Sequence, residues 1–281
     1  MSLENINWYP GHMKKTRELI ASNLKLVDMV IEVIDARIPI SSRNPVIDEL
    51  TEGKPRTIIL NKSDLADRQE TIRWSEYFSK SGAKVMSLDS MRGAGIKDLL
   101  TLMGNIEDEL NVGRTLKKNL RLMIVGVPNV GKSSLINRLT GKKSTKTGDK
   151  PGVTKGKQWL TLSNGMQLLD TPGILWPKFE DESVGIKLAF CGSIKDEILD
   201  VETLALRLIE VLQNEYPKLL ISRYKLDEIS EEGIVNMDNI ALNRGFILSK
   251  GRIDYSRCAR TVLDEFRAGQ IGKITLEKVG L

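Results

Sequence analysis

The chain has 281 residues, of which 41% are apolar and 28% are charged, a balance typical of a globular protein that stays in water. This length allows one large domain or two ordinary ones. The 42 basic residues exceed the 37 acidic ones and give a net charge of +5, which permits a nucleic-acid partner but does not require one.

Simple patterns argue against several classes of protein. Cys191 and Cys258 are the only cysteines, and so distant a pair has neither the spacing of a zinc site nor that of a disulfide framework. No apolar run approaches the ~18 residues of a membrane span. The N-terminus lacks the basic-then-apolar pattern of a signal peptide. We therefore expect a cytoplasmic protein with no membrane partner.

Short apolar runs rich in Val, Ile and Leu predict buried strands, and helical periodicity fills most of the gaps between them. This alternation indicates a mostly parallel sheet with helices on both faces, the doubly wound α/β class. Asn164-Gly165 is the turn signal of a hairpin that adds a further strand. The predicted strands occupy residues 28–35, 56–60, 84–88, 120–127 and 167–170, and the clearest predicted helices occupy 66–82 and 95–110.

The later part of the chain has a different character. A polar, basic and poorly periodic stretch is interpreted as a linker, about 111–120, between two parts of the α/β domain. From about Phe179 onward helical periodicity dominates and strand signals nearly vanish. Asp200 and Asp254 are placed as helix caps. The predicted domains are an α/β domain over 1–178 and a small all-α domain over 179–281.

His12 is the only histidine of the chain and stands in the stretch "NINWYPGHMKK". An imidazole has the ordinary pKa that lets it exchange a proton near neutral pH. The Pro-Gly turn just before it is also compatible with a residue that begins a helix. The residues of this stretch leave both interpretations open, a working catalytic group or the start of a helix.

The first nucleotide-binding signal is "IILNKSDL", which places N-K-x-D directly after a predicted strand. The Asp64 carboxylate can accept two hydrogen bonds from the N1–H and exocyclic amine of guanine, and adenine offers no such pair of donors. Asn61 is expected to fix the base, and the aliphatic stem of Lys62 is expected to lie across its plane. Ser87, in "SLDS" after the next strand, is a candidate for a further contact to guanine.

The second signal is "GVPNVGKSS", which matches G-x-x-x-x-G-K-[ST] between a predicted strand and a predicted helix. Gly126 and Gly131 allow the backbone to curl so that its N–H groups point at phosphate oxygens, and the helix N-terminus adds positive potential. Lys132 is expected to reach the β- and γ-phosphate oxygens, and the Ser133 hydroxyl is expected to ligate Mg²⁺. Further nucleotide-contacting candidates in this loop are Asn129, Val130, Gly131 and Ser134.

A third group of residues surrounds the expected γ-phosphate. Asp170, in "LLDTPG", is expected to hold Mg²⁺ through a water, and the Gly173 N–H is expected to reach the γ-phosphate. Thr154, in the lysine-rich "KPGVTKGK", is a candidate to complete the Mg²⁺ shell, with an ordinary loop threonine as the alternative. Ile174 stands where many GTPases carry a water-orienting glutamine, so we expect slow intrinsic hydrolysis.

The order of these motifs is unusual, because N-K-x-D precedes the phosphate loop. A doubly wound sheet tolerates this order, since its termini can lie close together and a join there preserves the site. The permuted order and six quoted stretches resemble the circularly permuted ribosome biogenesis GTPase A (RbgA/YlqF) family over nearly the whole chain, more weakly beyond about Gly192. These stretches are "WYPGHM", "DARIPISSRNP", "LNKSDL", "GVPNVGKSSLINRL", "PGVTK" and "LLDTPGILWPKFED".

The resemblance implies a circularly permuted P-loop GTPase domain that binds GTP or GDP with Mg²⁺. It also implies a cytoplasmic bacterial GTPase that assists late assembly of the large (50S) ribosomal subunit, is stimulated by that particle, and contacts ribosomal RNA through its helical domain. In this family the histidine matching His12 is proposed to replace the missing glutamine. Asn129 matches an asparagine linked with K⁺ activation in related GTPases, with a turn residue as the alternative. We expect a monomer away from the ribosome.

Some assignments stay open. The function is alternatively a GTP-switched RNA-binding module with incidental hydrolysis, or a GTPase with a non-ribosomal partner. The "DAR" of residues 35–37 either lines a ligand site at a strand end or forms a structural ion pair, and we prefer the ion pair. Candidates for RNA phosphate contacts are Arg114, Lys117, Lys118, Lys142, Lys143, Lys146, Lys150, Lys155, Lys157, Arg244, Lys250, Arg252, Arg257 and Arg260.

Overall fold

The computed structural model describes residues 11–51, 53–141, 158–170 and 181–280, and the chain divides into two compact units. The helical unit runs from Glu182 to Ile274. The sheet unit contains the described chain before Glu182 together with the segment that begins at Thr275.

Within its described residues, the sheet unit contains six strands: β1 (Met29–Asp35), β2 (Arg56–Asn61), β3 (Lys84–Ser87), β4 (Arg121–Val125), β5 (Gln158–Thr161) and β6 (Gln167–Asp170). They form one sheet in the order β3-β2-β1-β4-β6-β5. Among these six strands, the edge strand β5 is antiparallel to its neighbour β6 and the other pairs are parallel. All seven residues of β1 are buried, and five of them are apolar, so this strand has the mostly apolar pattern of a strand covered on both faces. The predicted doubly wound, mostly parallel sheet is confirmed.

The part of the sheet unit that the structure describes also contains five helices: α1 (Gly11–Leu24), α2 (Pro45–Leu50), α3 (Arg68–Ser79), α4 (Ile96–Asn111) and α5 (Lys132–Thr140). One buried apolar cluster joins α1 and α2 to β1, β4 and β6, and a second joins α3 to β1 and β2. Val30 of β1 belongs to the first cluster and Ile34 of β1 to the second. These two residues are four positions apart in a strand, so both clusters lie on the same face of the sheet. Right-handed crossovers place α4 and α5, which contact each other, on the opposite face.

The predicted strands and the hairpin are confirmed, with small shifts at their ends. The strand predicted over 120–127 ends at Val125, because the residues after it form the phosphate loop. In the β5–β6 hairpin, the Leu162 N–H donates to the Met166 carbonyl over 2.9 Å, and Gly165 has the positive φ of 87° that suits glycine.

The helical unit contains α6 (Glu182–Phe190), α7 (Val201–Glu215), α8 (Pro217–Tyr224), α9 (Gly233–Asn243) and α10 (Tyr255–Arg267). Helix α7 contacts each of the other four, so its buried stripe forms the centre of this unit. Both predicted caps are confirmed: Asp200 accepts a hydrogen bond from the Thr203 N–H over 3.2 Å, and Asp254 accepts one from the Arg257 N–H over 3.0 Å.

The C-terminal segment differs from the sequence expectation. The sequence assigned all of 179–281 to the helical domain, whereas the chain returns to the sheet unit at Thr275. Thr275, Leu276 and Glu277 are buried there. A short extended segment has no helical periodicity and no strand partner of its own, so nothing in its sequence pattern indicates where it packs.

Cys191 and Cys258 are both buried, and neither forms a disulfide bond. None of the helices in the described parts of the chain is both long enough and apolar enough to cross a membrane.

Candidate functional site

The phosphate loop, residues 126–133, connects the end of β4 to the start of α5. Gly126 has φ 152°, and a Cβ at this position would lie 2.3 Å from the Val33 carbonyl oxygen. Only glycine therefore lets the loop leave β4 so close to β1. The Lys132 ammonium donates to the Gly126 and Val127 carbonyls over 2.9 and 2.7 Å, so it lies beneath the loop it is expected to serve.

The remaining predicted residues of the loop are placed consistently with phosphate binding. Asn129 has φ 60°, a left-handed conformation that asparagine adopts more readily than most residues. Val130 is fully buried and anchors the loop. Ser133 and Ser134 lie in the first turn of α5, where N–H groups point out of the helix and the helix dipole favours an anion.

Asn61 joins N-K-x-D to the phosphate loop. Its amide nitrogen donates to the Val130 carbonyl over 2.7 Å. A Cβ on Gly131 would lie 2.2 Å from this same nitrogen, so the second glycine of the loop makes room for the asparagine. Two motifs that are distant in the chain therefore form one structural unit.

Ser90, which sequence reasoning missed, completes this unit. The Asn61 carboxamide oxygen accepts hydrogen bonds from the Ser90 backbone N–H over 3.1 Å and from its hydroxyl over 2.7 Å. Ser87, the residue predicted to contact guanine, is the last residue of β3. Asp89 accepts hydrogen bonds from the N–H groups of residues 91 and 92, and this turn directs Ser90 towards Asn61. The Asp-Ser pair after β3 was the available signal, because Asp favours such turns.

Lys62 and Asp64, the residues predicted to read the base, follow directly after β2. Lys62 has φ 58°, and its ammonium lies 3.0 Å from Asp35 Oδ2. The Asp64 side chain is 23% exposed, and one of its oxygens lies 3.7 Å from an Arg92 guanidinium nitrogen. This carboxylate is open enough to accept the two donors of a guanine edge.

The "DAR" residues form the structural ion pair that we preferred. Arg37 donates from Nε to Asp35 Oδ1 over 2.9 Å and from Nη2 to Oδ2 over 2.8 Å, and both residues are 1% exposed. Burial alone would raise the pKa of Asp35. The positive charges of Arg37 and Lys62 and the hydrogen bonds from Arg37 outweigh this effect, so this pKa lies well below its usual range. Asp35 is therefore an ionised carboxylate at neutral pH.

The remaining predicted residues are described only in part. Asp170 is the last residue of β6, and the register of Leu169 with Met123 places it at the edge of the sheet where β4 enters the phosphate loop. His12 is the second residue of α1. Thr154, Gly173, Ile174 and the lysines of the 142–157 segment lie outside the described residues.

Comparisons with known proteins agree with this geometry. The family described as 50S ribosome-binding GTPase matches residues 121–232, a span that begins at β4 and leaves N-K-x-D outside it. Ribosome biogenesis GTPase A of Priestia megaterium is 46% identical over 277 residues, covering 97% of this chain and 96% of the relative. The Bacillus cereus protein of the same name is 45% identical over 276 residues, covering 97% and 93%. The solved structure of GNP-bound YlqF from T. maritima is 30% identical with a TM-score of 0.67, covering 94% of this chain and 98% of that chain.

Proposed function

Because the chain belongs to the ribosome biogenesis GTPase A family, we propose that it is a GTP-hydrolysing factor for late assembly of the bacterial large ribosomal subunit, stimulated by that particle. Family membership makes the chain a GTPase of ribosome biogenesis. The large subunit as the particle and the roles of individual residues are our proposal. Its main support is Asn61, which holds the phosphate loop and the base-reading motif together.

The site is proposed to bind guanine nucleotides at two points. The loop N–H groups, the first turn of α5 and Lys132 bind the phosphates. Asp64 accepts the two donors of the guanine edge, while the stem of Lys62 covers the base. An adenine nucleotide would leave the Asp64 carboxylate without those donors.

The residues present also fit Mg²⁺, which prefers oxygen ligands and substrate phosphates. Ser133 lies at the start of α5 and Asp170 at the end of the neighbouring strand β6, and Thr154 is proposed to complete the set. Mg²⁺, when bound, neutralises charge that develops on the phosphate oxygens. The left-handed Asn129 is the proposed contact for K⁺ at the same loop.

Hydrolysis is proposed to depend on a group that replaces the missing glutamine. Ile174 cannot hydrogen-bond an attacking water. His12 carries the proposed replacement imidazole, and its place at the start of α1 allows it to be supplied to the site when the ribosomal particle binds. Basal turnover is therefore slow, and the ribosomal particle accelerates it.

The helical unit is proposed to contact ribosomal RNA. Lys250, Arg252 and Arg260 are exposed on it and suit contacts with phosphates. Two other basic candidates have partners within the unit: Arg244 pairs with Glu265, and the Arg257 guanidinium lies 4.7 Å from the centre of the Phe246 ring. Lys250, Arg252 and Arg260 are therefore the stronger candidates.

The proposal is tested by measuring GTP turnover in K⁺ and Mg²⁺ with and without purified large subunits, for the wild type and His12→Ala. We expect strong stimulation of the wild type, with stimulation lost and basal turnover kept in the variant. ATP should not compete. If large subunits leave wild-type turnover unchanged, activation by the ribosome is wrong. If both rates survive in His12→Ala, this histidine has no catalytic role.

A further inference from the structure

The C-terminal strap, defined as residues 275–279, packs against the loop that follows β1. The Leu276 N–H donates to the Arg37 carbonyl over 2.8 Å. Thr275 Oγ1 accepts from the Asp67 N–H over 3.0 Å, just before α3 begins. The strap is therefore hydrogen-bonded both to the loop after β1 and to the segment between β2 and α3.

Glu277 is the main anchor of the strap. One carboxylate oxygen accepts from the Ile40 N–H over 2.7 Å, the Ser41 N–H lies 3.2 Å from both oxygens, and the Ser41 hydroxyl donates to the other oxygen. The Trp74 indole N–H donates to the Glu277 backbone carbonyl over 2.8 Å. Both oxygens of this buried carboxylate thus face donors, and the loop after β1 is fixed by it.

The loop held by the strap leads to the base-reading lysine. Arg37 lies in this loop and holds Asp35 through two side-chain hydrogen bonds, to which its own N–H adds a third over 3.1 Å. The second oxygen of Asp35 then lies 3.0 Å from the Lys62 ammonium. A continuous series of contacts therefore runs from the strap through Arg37 and Asp35 to Lys62.

We propose that the C-terminal strap is a positioning element of the guanine site, which acts by holding Arg37 on Asp35 and thereby holding Lys62 against Asp35. This inference rests on the proposed role of the Lys62 stem in covering the base. Asp35 and Glu277 are positioning residues in this scheme, because each is proposed to act on the nucleotide through Lys62.

The ion pair with Asp35 limits the conformational freedom of the Lys62 side chain. A lysine side chain has a long flexible stem, and holding it in one conformation costs rotamer entropy. An ion pair with a buried, already oriented carboxylate limits that freedom before the base arrives, and preorganisation of this kind improves affinity. If the loop after β1 loosens, Arg37 no longer holds the Asp35 carboxylate in one orientation, and Lys62 loses its fixed partner.

The test measures binding of GDP and of IDP, which lacks the exocyclic amine of guanine, to full-length variants. Glu277→Gln places an amide donor against backbone N–H donors, so we expect about fivefold weaker binding of both nucleotides. Their affinity ratio should not change, because the Lys62 stem covers any purine. Trp74→Phe, which removes one anchor of the strap and keeps an aromatic ring, should act in the same direction. Glu228→Gln, on an exposed glutamate, is the matched control.

A coupling measurement separates positioning from a purely structural role. In Lys62→Ala the group that the strap positions is absent, so adding Glu277→Gln should weaken GDP binding no further. Additive losses would overturn the proposal, as would a loss for GDP alone, which would implicate Asp64 instead. Thermal unfolding confirms that each variant is folded at the temperature of the binding assay.

Asp64→Asn distinguishes failure of this inference from failure of the proposed guanine site. If Asp64→Asn weakens GDP binding while the two strap variants bind like the wild type, the strap has no positioning role and the proposed function stands. If Asp64→Asn binds GDP like the wild type, the guanine site itself is wrongly assigned, and the inference fails with it.

Discussion

Asn61 makes structural contacts that do not depend on a nucleotide. Its amide donates to Val130 and its oxygen accepts from Ser90, so one side chain fixes the phosphate loop relative to the turn after β3. A primary amide carries a donor and an acceptor on one planar group. A carboxylate in its place lacks the donor and an aliphatic side chain lacks both. This is a physical reason for asparagine in the motif, beyond any contact with the base.

Gly131→Ala should disrupt both halves of the site. Alanine would have to adopt the positive φ of 96° that Gly131 has, and its Cβ would lie 2.2 Å from the Asn61 amide nitrogen. We expect unfolding stability to fall by about 2–4 kcal/mol, from backbone strain together with the loss of the Asn61 hydrogen bond. GDP affinity should fall at least about tenfold, because the loop N–H groups lose their alignment. Chemical unfolding and equilibrium nucleotide binding measure the two effects.

Gly141→Ala is the matched control at the other end of α5. Gly141 has φ 66°, and among the described residues no atom lies within 4 Å of its added Cβ. It should therefore cost only the backbone strain, about 1–2 kcal/mol, and leave GDP affinity unchanged. Equal losses of affinity in the two variants would show that crowding of Asn61 is not the cause.

At the scale of elements, the buried strands were predictable because both faces of the sheet are covered. Continuous apolar runs located β1, β2 and β4 to within a few residues. N-K-x-D begins at the last residue of β2 and the phosphate loop directly follows β4, so the sequence predicts a site at the edge of the sheet where these parallel strands end. Local patterns were sufficient for those predictions.

Helix α9 and the C-terminal strap were not predictable in the same way. Helix α9 begins at Gly233, a residue type that usually indicates a break in a helix. A Cβ there would lie 2.6 Å from Glu210 Cγ on α7, so the glycine permits close packing of two helices. The strap likewise depends on contacts with residues more than two hundred positions earlier, such as Glu277 with Ile40. Tertiary packing determines both where α9 begins and where the strap lies, and a local sequence pattern contains no information about such packing.

The Asp200 cap gives a prediction at the scale of one helix. Asp200→Ala should lower the unfolding stability of the protein by about 1 kcal/mol at neutral pH, because α7 loses its N-terminal acceptor. Hydrogen bonds from the Thr203 side chain and N–H lower the pKa of Asp200 in the folded chain. The stabilisation is therefore present above the ordinary aspartate pKa and is lost as the pH falls through the lower folded value. Urea unfolding across this range measures it.

Asp227→Ala, on an exposed loop, is the matched control and should have no effect at either pH. A penalty for Asp200→Ala that persists unchanged in acid would show that the charge of the cap is not involved. The remaining loss would then reflect the hydrogen bonds that the neutral carboxylic acid still accepts.

At the scale of the whole molecule, the permuted motif order has a simple spatial explanation. Strands β1, β2 and β3 precede β4 in the chain, yet the sheet order places β1 and β4 side by side. Because both β2 and β4 run parallel to β1, their carboxyl ends lie at the same edge of the sheet, whichever of the two comes first in the chain. This arrangement explains why motifs distant in the chain could be assigned to one candidate site from the sequence, whereas the contacts of Ser90 with Asn61 and of Asp35 with Lys62 required the folded chain.

The last prediction concerns how the molecule reports its nucleotide to the ribosome. Large-subunit association of the wild type should differ between GDP and a non-hydrolysable GTP analogue. Lys132→Ala should abolish this difference, because Lys132 is the proposed contact to the β- and γ-phosphates. Lys97→Ala, on the exposed face of α4, should keep it. Co-sedimentation with purified large subunits measures association in each state. If Lys132→Ala still distinguishes the two nucleotides, the phosphate loop is not the sensor. If the wild type does not co-sediment in either state, the partner is not the large subunit, and a GTPase with a non-ribosomal partner becomes the better reading.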